Sequence, residues 1–195
     1  AVENDGQAAA LAEAVLGAGR GYRSVLGITV GTGIGGGFIV DGHIYHADDR
    51  SGLELGHLAV ERDGRLCPCG RHGCLEAYAS GGCLVTEYNT RASAPLQTGE
   101  QVVAAAQAGD PAALNAIRVV GAWLGYGLAS MVNLLSPAVV VIGGGVARIG
   151  DLYLDSVRTA FRAQAYPPLI ETPILPAALR NHEGVIGAGL LARQI

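Results

Sequence analysis

The stretch LELGHLAVERDGRLCPCGRHGCLE, residues 53–76, carries a histidine and three cysteines: His57, Cys67, Cys69 and Cys74. Three thiolates and one imidazole form the ligand set of a closed, tetrahedral Zn²⁺ site. Glycine and proline lie between these ligands, where a short chain must turn tightly to bring several side chains together. The alternative is a disulfide between two of the cysteines, which the closeness of Cys67 to Cys69 disfavours. We predict a structural zinc ion.

Two carboxylates flank this predicted metal site. Glu54 lies just before His57 in the sequence, and Glu76 follows the last cysteine. A zinc ion with four protein ligands has no open position for Lewis-acid chemistry, so its effect is to shape its surroundings. Each glutamate taken alone is typical of a solvated surface position. Beside a metal site, the two are expected to be fixed against one pocket.

Composition limits the class of protein. The chain has 195 residues, 50% of them hydrophobic, only 15% charged, and 30 of them glycine, which indicates a globular domain with many tight turns. The net charge is −4 without a cluster of basic residues, so we expect no nucleic acid to be bound by this chain. We find no signal peptide and no apolar run that would span a membrane. Thiolate ligands need a reducing compartment, which predicts a cytoplasmic protein.

The hydrophobic pattern predicts helices alternating with strands after an initial meander. Expected helices cover residues 7–16, 82–89, 98–108, 111–135, 151–165 and 184–194. Expected strands cover residues 24–30, 38–40, 43–45, 138–142 and 171–175, with Asp41-Gly42 as a hairpin turn. This order predicts an α/β domain with a mixed sheet.

Two glycine loops are candidate nucleotide contacts. The first, GTGIGGG at residues 31–37, has the spacing of a dinucleotide fingerprint but leads into a strand, which excludes a Rossmann site. Its backbone N–H groups can still bind phosphate, and the alternative is a plain flexible hairpin. The second, Gly143-Gly144-Gly145, follows a buried strand, and the alternative is a turn that needs positive φ. Two such loops favour a nucleoside triphosphate.

Asn4 and Asp5 stand immediately before the first predicted helix. Either residue is a good N-cap, because a side-chain oxygen can accept a hydrogen bond from an unpaired backbone N–H of the first turn. The functional alternative is a general base directed at a substrate hydroxyl. The sequence leaves both interpretations open.

Together these segments resemble the ROK family of bacterial sugar kinases and sugar-responsive repressors, over essentially the whole chain. The residues that carry the resemblance are ELGH at 54–57, CPCG at 67–70, GCLE at 73–76, the two glycine loops and VEND at 2–5. The resemblance implies an actin/hexokinase-like (ribonuclease H-like) α/β lobe with a mixed sheet and an inserted zinc knot. It also implies that sugar and ATP bind in a cleft between two lobes.

The resemblance also implies a role for each site residue. Asp5 would be the catalytic base that takes the proton of the sugar hydroxyl. The sugar contacts would be Asn4, Glu54, His57 and Glu76; the zinc ligands His57, Cys67, Cys69 and Cys74; the ATP contacts Gly31, Thr32, Gly33, Gly144 and Gly145. Buried carboxylates and amides suit a ligand that offers only hydroxyls. Phosphoryl transfer needs positioning, Mg²⁺ and a base in line with that hydroxyl.

The resemblance sets the expected domain organisation. Residues 1–20 would end an N-terminal lobe and carry the catalytic aspartate, and residues 21–195 would form the C-terminal kinase lobe with the zinc-binding segment at 54–76. Two departures from the family pattern stand out. Gly6-Gln7 replaces the frequent Ala-Asn, and neither an Asp-x-Gly-Gly-Thr phosphate loop nor a helix-turn-helix is found. We therefore expect a further lobe upstream, and we expect this chain alone to be inactive.

Two functions follow from the resemblance. The first is ATP-dependent phosphorylation of a hexose hydroxyl, with the 6-OH of glucose as the expected acceptor. The alternative is the sugar-sensing core of a transcriptional repressor without kinase activity. The glycine-rich, apolar helices also predict a homodimer or a higher homo-oligomer.

Overall fold

The structure, a computed structural model, describes residues 4–46, 53–180 and 182–193. Its strands are β1 (Ser24–Val30), β2 (Ile34–Val40), β3 (His43–Ile44), β4 (Val139–Gly143) and β5 (Ile174–Pro176). Its helices are α1 (Asp5–Leu16), α2 (Glu76–Ala79), α3 (Gly81–Asn89), α4 (Gly99–Gln107), α5 (Pro111–Leu135), α6 (Asp151–Gln164) and α7 (Glu183–Arg193). Val2 and Glu3 of the predicted catalytic segment, and Gln194 of the last predicted helix, lie outside the described residues.

The five strands form one mixed sheet in the order β3-β2-β1-β4-β5. β1 pairs antiparallel with β2, and β2 with β3, whereas β1–β4 and β4–β5 are parallel. Helices α1 and α7 pack on one face, and α3 to α6 pack on the other. Because both faces are covered, β4 is buried along its whole length. The predicted mixed α/β architecture is confirmed.

Several element boundaries differ from the prediction. β2 begins at Ile34 rather than Phe38, so the glycines at positions 35–37 belong to the strand. β5 covers Ile174–Pro176 rather than 171–175, because the chain still turns at Thr172, whose backbone N–H donates to the carbonyl of Leu169 at 3.0 Å. The four-residue helix α2 was not predicted. The hairpin turn was predicted correctly, with φ of 51° at Asp41 and 79° at Gly42.

Glycines in β1 and β2 allow α1 to lie close against the sheet. A Cβ atom at Gly27 would come within 2.5 Å of the Cβ of Ala10. A Cβ at Gly37 would come within 3.1 Å of the Cα of Gln7. The glycine-rich strand therefore serves helix packing as well as the turn before it, and this packing fixes the position of the residues at the start of α1.

Helix α5 contradicts the expectation that no apolar run is long enough to span a membrane. It has 25 residues with a mean hydropathy of 1.2 over its most apolar window, which meets the length and composition criteria for a membrane span. Its buried side chains, including Ile117, Leu124 and Leu128, belong to the main hydrophobic core, and 56% of that window is buried.

The start of α5 was predicted correctly: Asp110 caps its N-terminus, and Pro111 is the first helical residue.

The close approach of α1 to the sheet is tested by a glycine substitution. We expect Gly27→Ala to lower the free energy of unfolding by about 1–3 kcal/mol, because the new methyl overlaps Ala10. Gly189→Ala in α7 is the control, since a Cβ there meets nothing within 4 Å and should stabilise the helix by up to about 1 kcal/mol. Urea unfolding measures both. Equal stability of Gly27→Ala and wild type would contradict this packing.

Candidate active site

Four side chains of the 53–76 segment converge on one point. His57, Cys67, Cys69 and Cys74 each offer one ligand atom, and these atoms all lie within 4.8 Å of one another. The Nδ1 of His57 is 3.7 Å from the Sγ of Cys67, and the Sγ atoms of Cys69 and Cys74 are also 3.7 Å apart. Tetrahedral coordination with bonds of about 2.3 Å separates two sulfur ligands by about 3.8 Å. The cluster therefore has the composition and spacing to hold a metal ion.

Tight turns bring these ligands together. Gly70 and Gly73 adopt φ of 85° and 78°, and the backbone N–H of Cys67 donates to the carbonyl of Arg71 at 2.8 Å. All four cysteines are free thiols, so the alternative of a disulfide is not seen. Burial raises the pKa of the Cys67 and Cys74 thiols, whereas a backbone hydrogen bond from Arg71 lowers the pKa of Cys69. A metal ion must displace the buried protons, so its affinity falls as the pH is lowered.

Glu76 lies between the cysteine cluster and the first glycine loop. Its Oε2 accepts a hydrogen bond from the backbone N–H of Ile34 at 2.8 Å, and its Oε1 is 4.0 Å from the Sγ of Cys67. A Cβ atom at Gly33 would stand 2.5 Å from the same Oε2. Gly33 thus packs against this carboxylate, and Glu76 joins the two segments.

Two further predicted sugar contacts, Glu54 and His57, lie on or beside a 3₁₀ turn. Glu54 precedes this turn, Leu55–His57, and both Glu54 and His57 are exposed. Leu55 is buried and approaches β2 closely, because a Cβ at Gly36 would come within 2.9 Å of its Cδ1. The turn is therefore anchored by an apolar contact while its polar side chains face outward.

Both glycine loops line one large cleft of about 680 Å³. Gly31 and Thr32 come from the first loop and Gly145 from the second. The N-terminal residues of α3 and α4 complete the polar side, and the apolar wall includes Val85, Val103 and Ile149. The Gly81 backbone N–H donates to the carbonyl of Gly31 at 2.7 Å and fixes the loop.

The contribution of α3 and α4 was not predicted. The two helices themselves were predicted, and the glycines at their starts, Gly81, Gly82 and Gly99, are the local signal for a backbone open to a ligand. For the second loop the interpretation as a turn that needs positive φ is confirmed, and contact with a nucleotide stays a prediction. Gly144 has φ of 88° and lies against the backbone of Val30, whereas Gly145 is exposed to the cleft.

Asn4 and Asp5 occupy different positions at the start of α1. Asn4 is the N-cap of α1, where its Oδ1 accepts from the Gly6 N–H at 2.8 Å, so the capping interpretation is confirmed for it. Asp5 is exposed and its Oδ1 accepts from the same N–H at 2.8 Å. It lines a cavity of about 290 Å³ that also contains Thr29, Gly145 and Arg148. Gly145 and Arg148 line the large cleft as well, so the two cavities adjoin.

A buried carboxylate that the sequence did not reveal holds α1 in place. Glu13 is 3% exposed, and its two oxygens accept hydrogen bonds from three backbone N–H groups, those of Ala18, Ala178 and Leu179, at 2.8, 3.1 and 2.8 Å. The last two belong to the segment between β5 and α7. This clamp ties the Asp5-bearing helix to the C-terminal part of the chain.

Metal content tests the cluster directly. We expect the purified chain in reducing buffer to hold one tightly bound metal ion, measured by inductively coupled plasma mass spectrometry. Cys74→Ala should lose most of that metal, because it removes one of four ligands. Cys83→Ala is the matched control, since Cys83 is buried but lies outside the cluster. Equal metal content in the two variants would refute the ligand set.

The Glu13 clamp is tested by Glu13→Gln. An amide has only one accepting oxygen, and its NH₂ would face backbone N–H groups, so the free energy of unfolding should fall by about 2–4 kcal/mol. Glu171→Gln, at an exposed position, is expected to change it by less than about 0.5 kcal/mol. Chemical denaturation measures both, and similar stabilities would show that the clamp contributes little.

Comparisons with known proteins identify the family of this chain. A model of the ROK family matches residues 1–195. The glucokinase of Streptomyces coelicolor is 36% identical over 213 residues, covering 99% of this chain and 67% of the relative. The DNA-binding transcriptional repressor Mlc of Escherichia coli is 32% identical over 200 residues, covering 98% of this chain and 49% of the relative.

The crystal structure of a ROK family glucokinase from Streptomyces griseus, in complex with glucose and AMPPNP, superposes with a TM-score of 0.92 at 38% identity. The match covers 100% of this chain and 68% of that one. This chain therefore spans about two thirds of the length of these glucokinases and about half of the repressor. Its sheet and helices have the actin/hexokinase-like fold of the ROK sugar kinases. The chain belongs to the ROK family.

Proposed function

We propose that this chain is the nucleotide- and metal-binding lobe of an ATP-dependent hexose kinase, with Asp5 as the general base. One observation carries the proposal: the cavity that contains Asp5 adjoins the cleft lined by both glycine loops, and the two share Gly145 and Arg148. A base next to a nucleotide cleft is the arrangement that phosphoryl transfer to a hydroxyl requires. The S. griseus glucokinase, solved with glucose and AMPPNP, supports the pair of substrates.

The nucleotide fits the large cleft by shape and by chemistry. Its apolar wall suits a flat base, with Val85, Val103 and Ile149 as contacts. Gly31, Thr32 and Gly145 present backbone or hydroxyl groups toward the phosphates, and Gly33 and Gly144 shape the two loops behind them. Mg²⁺ would accompany the phosphates and neutralise part of their charge.

The sugar would lie between the start of α1 and the 53–76 segment. Asn4, Glu54 and Glu76 offer amide and carboxylate groups for its hydroxyls. The Nδ1 of His57 faces Cys67, so the Nε2 on the far side of the ring remains available to donate a hydrogen bond to the sugar. These side chains discriminate a ligand by hydrogen bonding, which rejects analogues that lack a hydroxyl.

The transfer step places the proton on Asp5. The sugar oxygen attacks the γ-phosphorus of ATP while Asp5 accepts the hydroxyl proton. A new oxygen–phosphorus bond forms as the bond to the β-phosphate oxygen breaks, and ADP leaves. We propose the 6-OH of glucose as the acceptor, on the basis of the glucokinase relatives.

The metal in the cysteine cluster would be structural zinc. The donor set of His57, Cys67, Cys69 and Cys74 matches Zn²⁺ in ligand type and number, and it leaves no open position for substrate. The metal would hold His57 and Glu76 at the sugar pocket. Because its thiolates require reducing conditions, we propose a cytoplasmic protein. A homodimer or higher oligomer remains a prediction.

The match to Mlc supports a second candidate function. In this alternative the chain is the sugar-sensing core of a repressor, and the same pocket binds sugar without phosphorylating it. The two functions are separated by turnover, because a sensor binds the sugar and releases no ADP.

Replacement of the proposed base tests the kinase function. We expect Asp5→Asn in the full-length protein to lower kcat by about 10²–10⁴-fold with little change in KM for the sugar, because proton acceptance is lost and the hydroxyl contact is kept. A coupled assay of ADP release with a panel of hexoses measures both constants.

Asp63→Asn is the matched control, since Asp63 is exposed and asparagine tolerates its φ of 55°. Undiminished turnover in Asp5→Asn would refute the role of the base. Sugar binding without turnover in the wild-type protein would replace the kinase by the sensor.

A further inference from the structure

Arg148 occupies a position between the nucleotide cleft and the proposed base. It lies in the 3₁₀ turn Ala147–Ile149, directly after the second glycine loop. It is exposed and lines both the 680 Å³ cleft and the 290 Å³ cavity that contains Asp5. Its Nη2 lies 3.5 Å from the place where a Cβ of Gly145 would stand. The guanidinium group therefore lies over the glycine that faces the cleft.

The charges around these cavities make Arg148 distinctive. Among the described residues that line the large cleft, the fully charged side chains are Glu100 and Arg148. In the adjoining cavity they are Asp5, Glu183 and Arg148. The sequence contains no lysine. Within the described lining of both cavities, Arg148 is thus the single positive charge among carboxylates that repel an anion.

A nucleoside triphosphate brings several negative charges into this space. The carboxylates of Asp5 and Glu183 raise the electrostatic cost of placing phosphates near them, and a cation at the boundary lowers it. A guanidinium presents a planar fork of donors that matches phosphate oxygens and keeps its charge at any physiological pH. Arg148 supplies such a cation, and it lies at the boundary between the two cavities.

We propose that Arg148 binds the polyphosphate of the nucleotide and holds it between the cleft and Asp5. The inference rests on the proposed kinase function and adds a substrate-binding residue to it. The contact would be absent from a ligand that carries the base and ribose without phosphates. Removal of Arg148 should therefore weaken the binding of a nucleoside triphosphate and leave the binding of the nucleoside unchanged.

Calorimetric titration of the full-length protein with AMPPNP and with adenosine, each with Mg²⁺ present, tests the proposal. We expect Arg148→Ala to weaken AMPPNP binding by about 10- to 100-fold and to leave adenosine binding unchanged. Arg148→Lys should recover part of the affinity because it restores the charge without the fork. The loss in Arg148→Ala should shrink as salt is raised, since the site is exposed.

Arg180→Ala is the matched control. Arg180 lines a neighbouring cavity of about 410 Å³, next to Arg148, so its removal makes the same change in net charge nearby. We expect its AMPPNP affinity to equal that of wild type. An equal loss in both variants would show a general field effect and overturn the contact.

The remaining outcomes separate this inference from the function on which it rests. If wild type binds AMPPNP and Arg148→Ala binds it equally well, the contact is refuted and the kinase proposal stands. If Arg148→Ala weakens the binding of adenosine and of AMPPNP by the same factor, Arg148 contacts the adenosine part of the nucleotide, and the polyphosphate role is refuted. If wild type binds neither ligand, the proposed function fails together with this inference.

Discussion

One hydrogen bond joins the two parts of the site, the bond from the backbone N–H of Ile34 to the carboxylate of Glu76, 2.8 Å long. The two residues are 42 positions apart in the sequence. Glu76 follows Cys74 closely, and Ile34 ends the turn that begins at Gly31. Through this bond, the segment that carries the cysteine cluster is fixed to the loop that lines the nucleotide cleft. A metal in the cluster would therefore help to hold the residues of both proposed pockets in place.

A second constraint positions Asp5, the proposed base. Helix α1 lies so close to the sheet that Gly27 has no room for a side chain, and Glu13 ties the same helix to the backbone of Ala178 and Leu179. A helix held along its face and at its C-terminal half has little freedom to slide, so Asp5 at its start keeps its place beside the second glycine loop. The position of Asp5 thus depends on apolar packing and on the hydrogen bonds of one buried carboxylate.

The sequence predicted those features that depend on short-range order. The cysteine cluster was found because its ligands lie within one short segment of glycine and proline turns, and α1 and α5 were found because their caps, Asn4 and Asp110, are local signals. The strand order was predictable in outline, since a two-residue turn at Asp41-Gly42 forces an antiparallel pair.

Other features depend on contacts that sequence spacing does not reveal. Glu13 meets Leu179 across 166 positions, and no local pattern identifies an acid whose partners are backbone N–H groups of a distant loop. The glycines of β2 were assigned to a turn. In the structure they make room for α1, and this tertiary contact leaves no local signal in the sequence. The same limit hid α3 and α4 as walls of the cleft.

Through Glu76, the cysteine cluster and the turn at residues 31–34 should behave as one unit. NMR hydrogen exchange at the Ile34 amide, before and after a chelator removes the bound metal, measures this coupling. We expect protection of this amide to fall at least about tenfold on metal removal, while amides in the centre of β4 stay protected. Unchanged protection of Ile34 in metal-free protein would contradict the coupling.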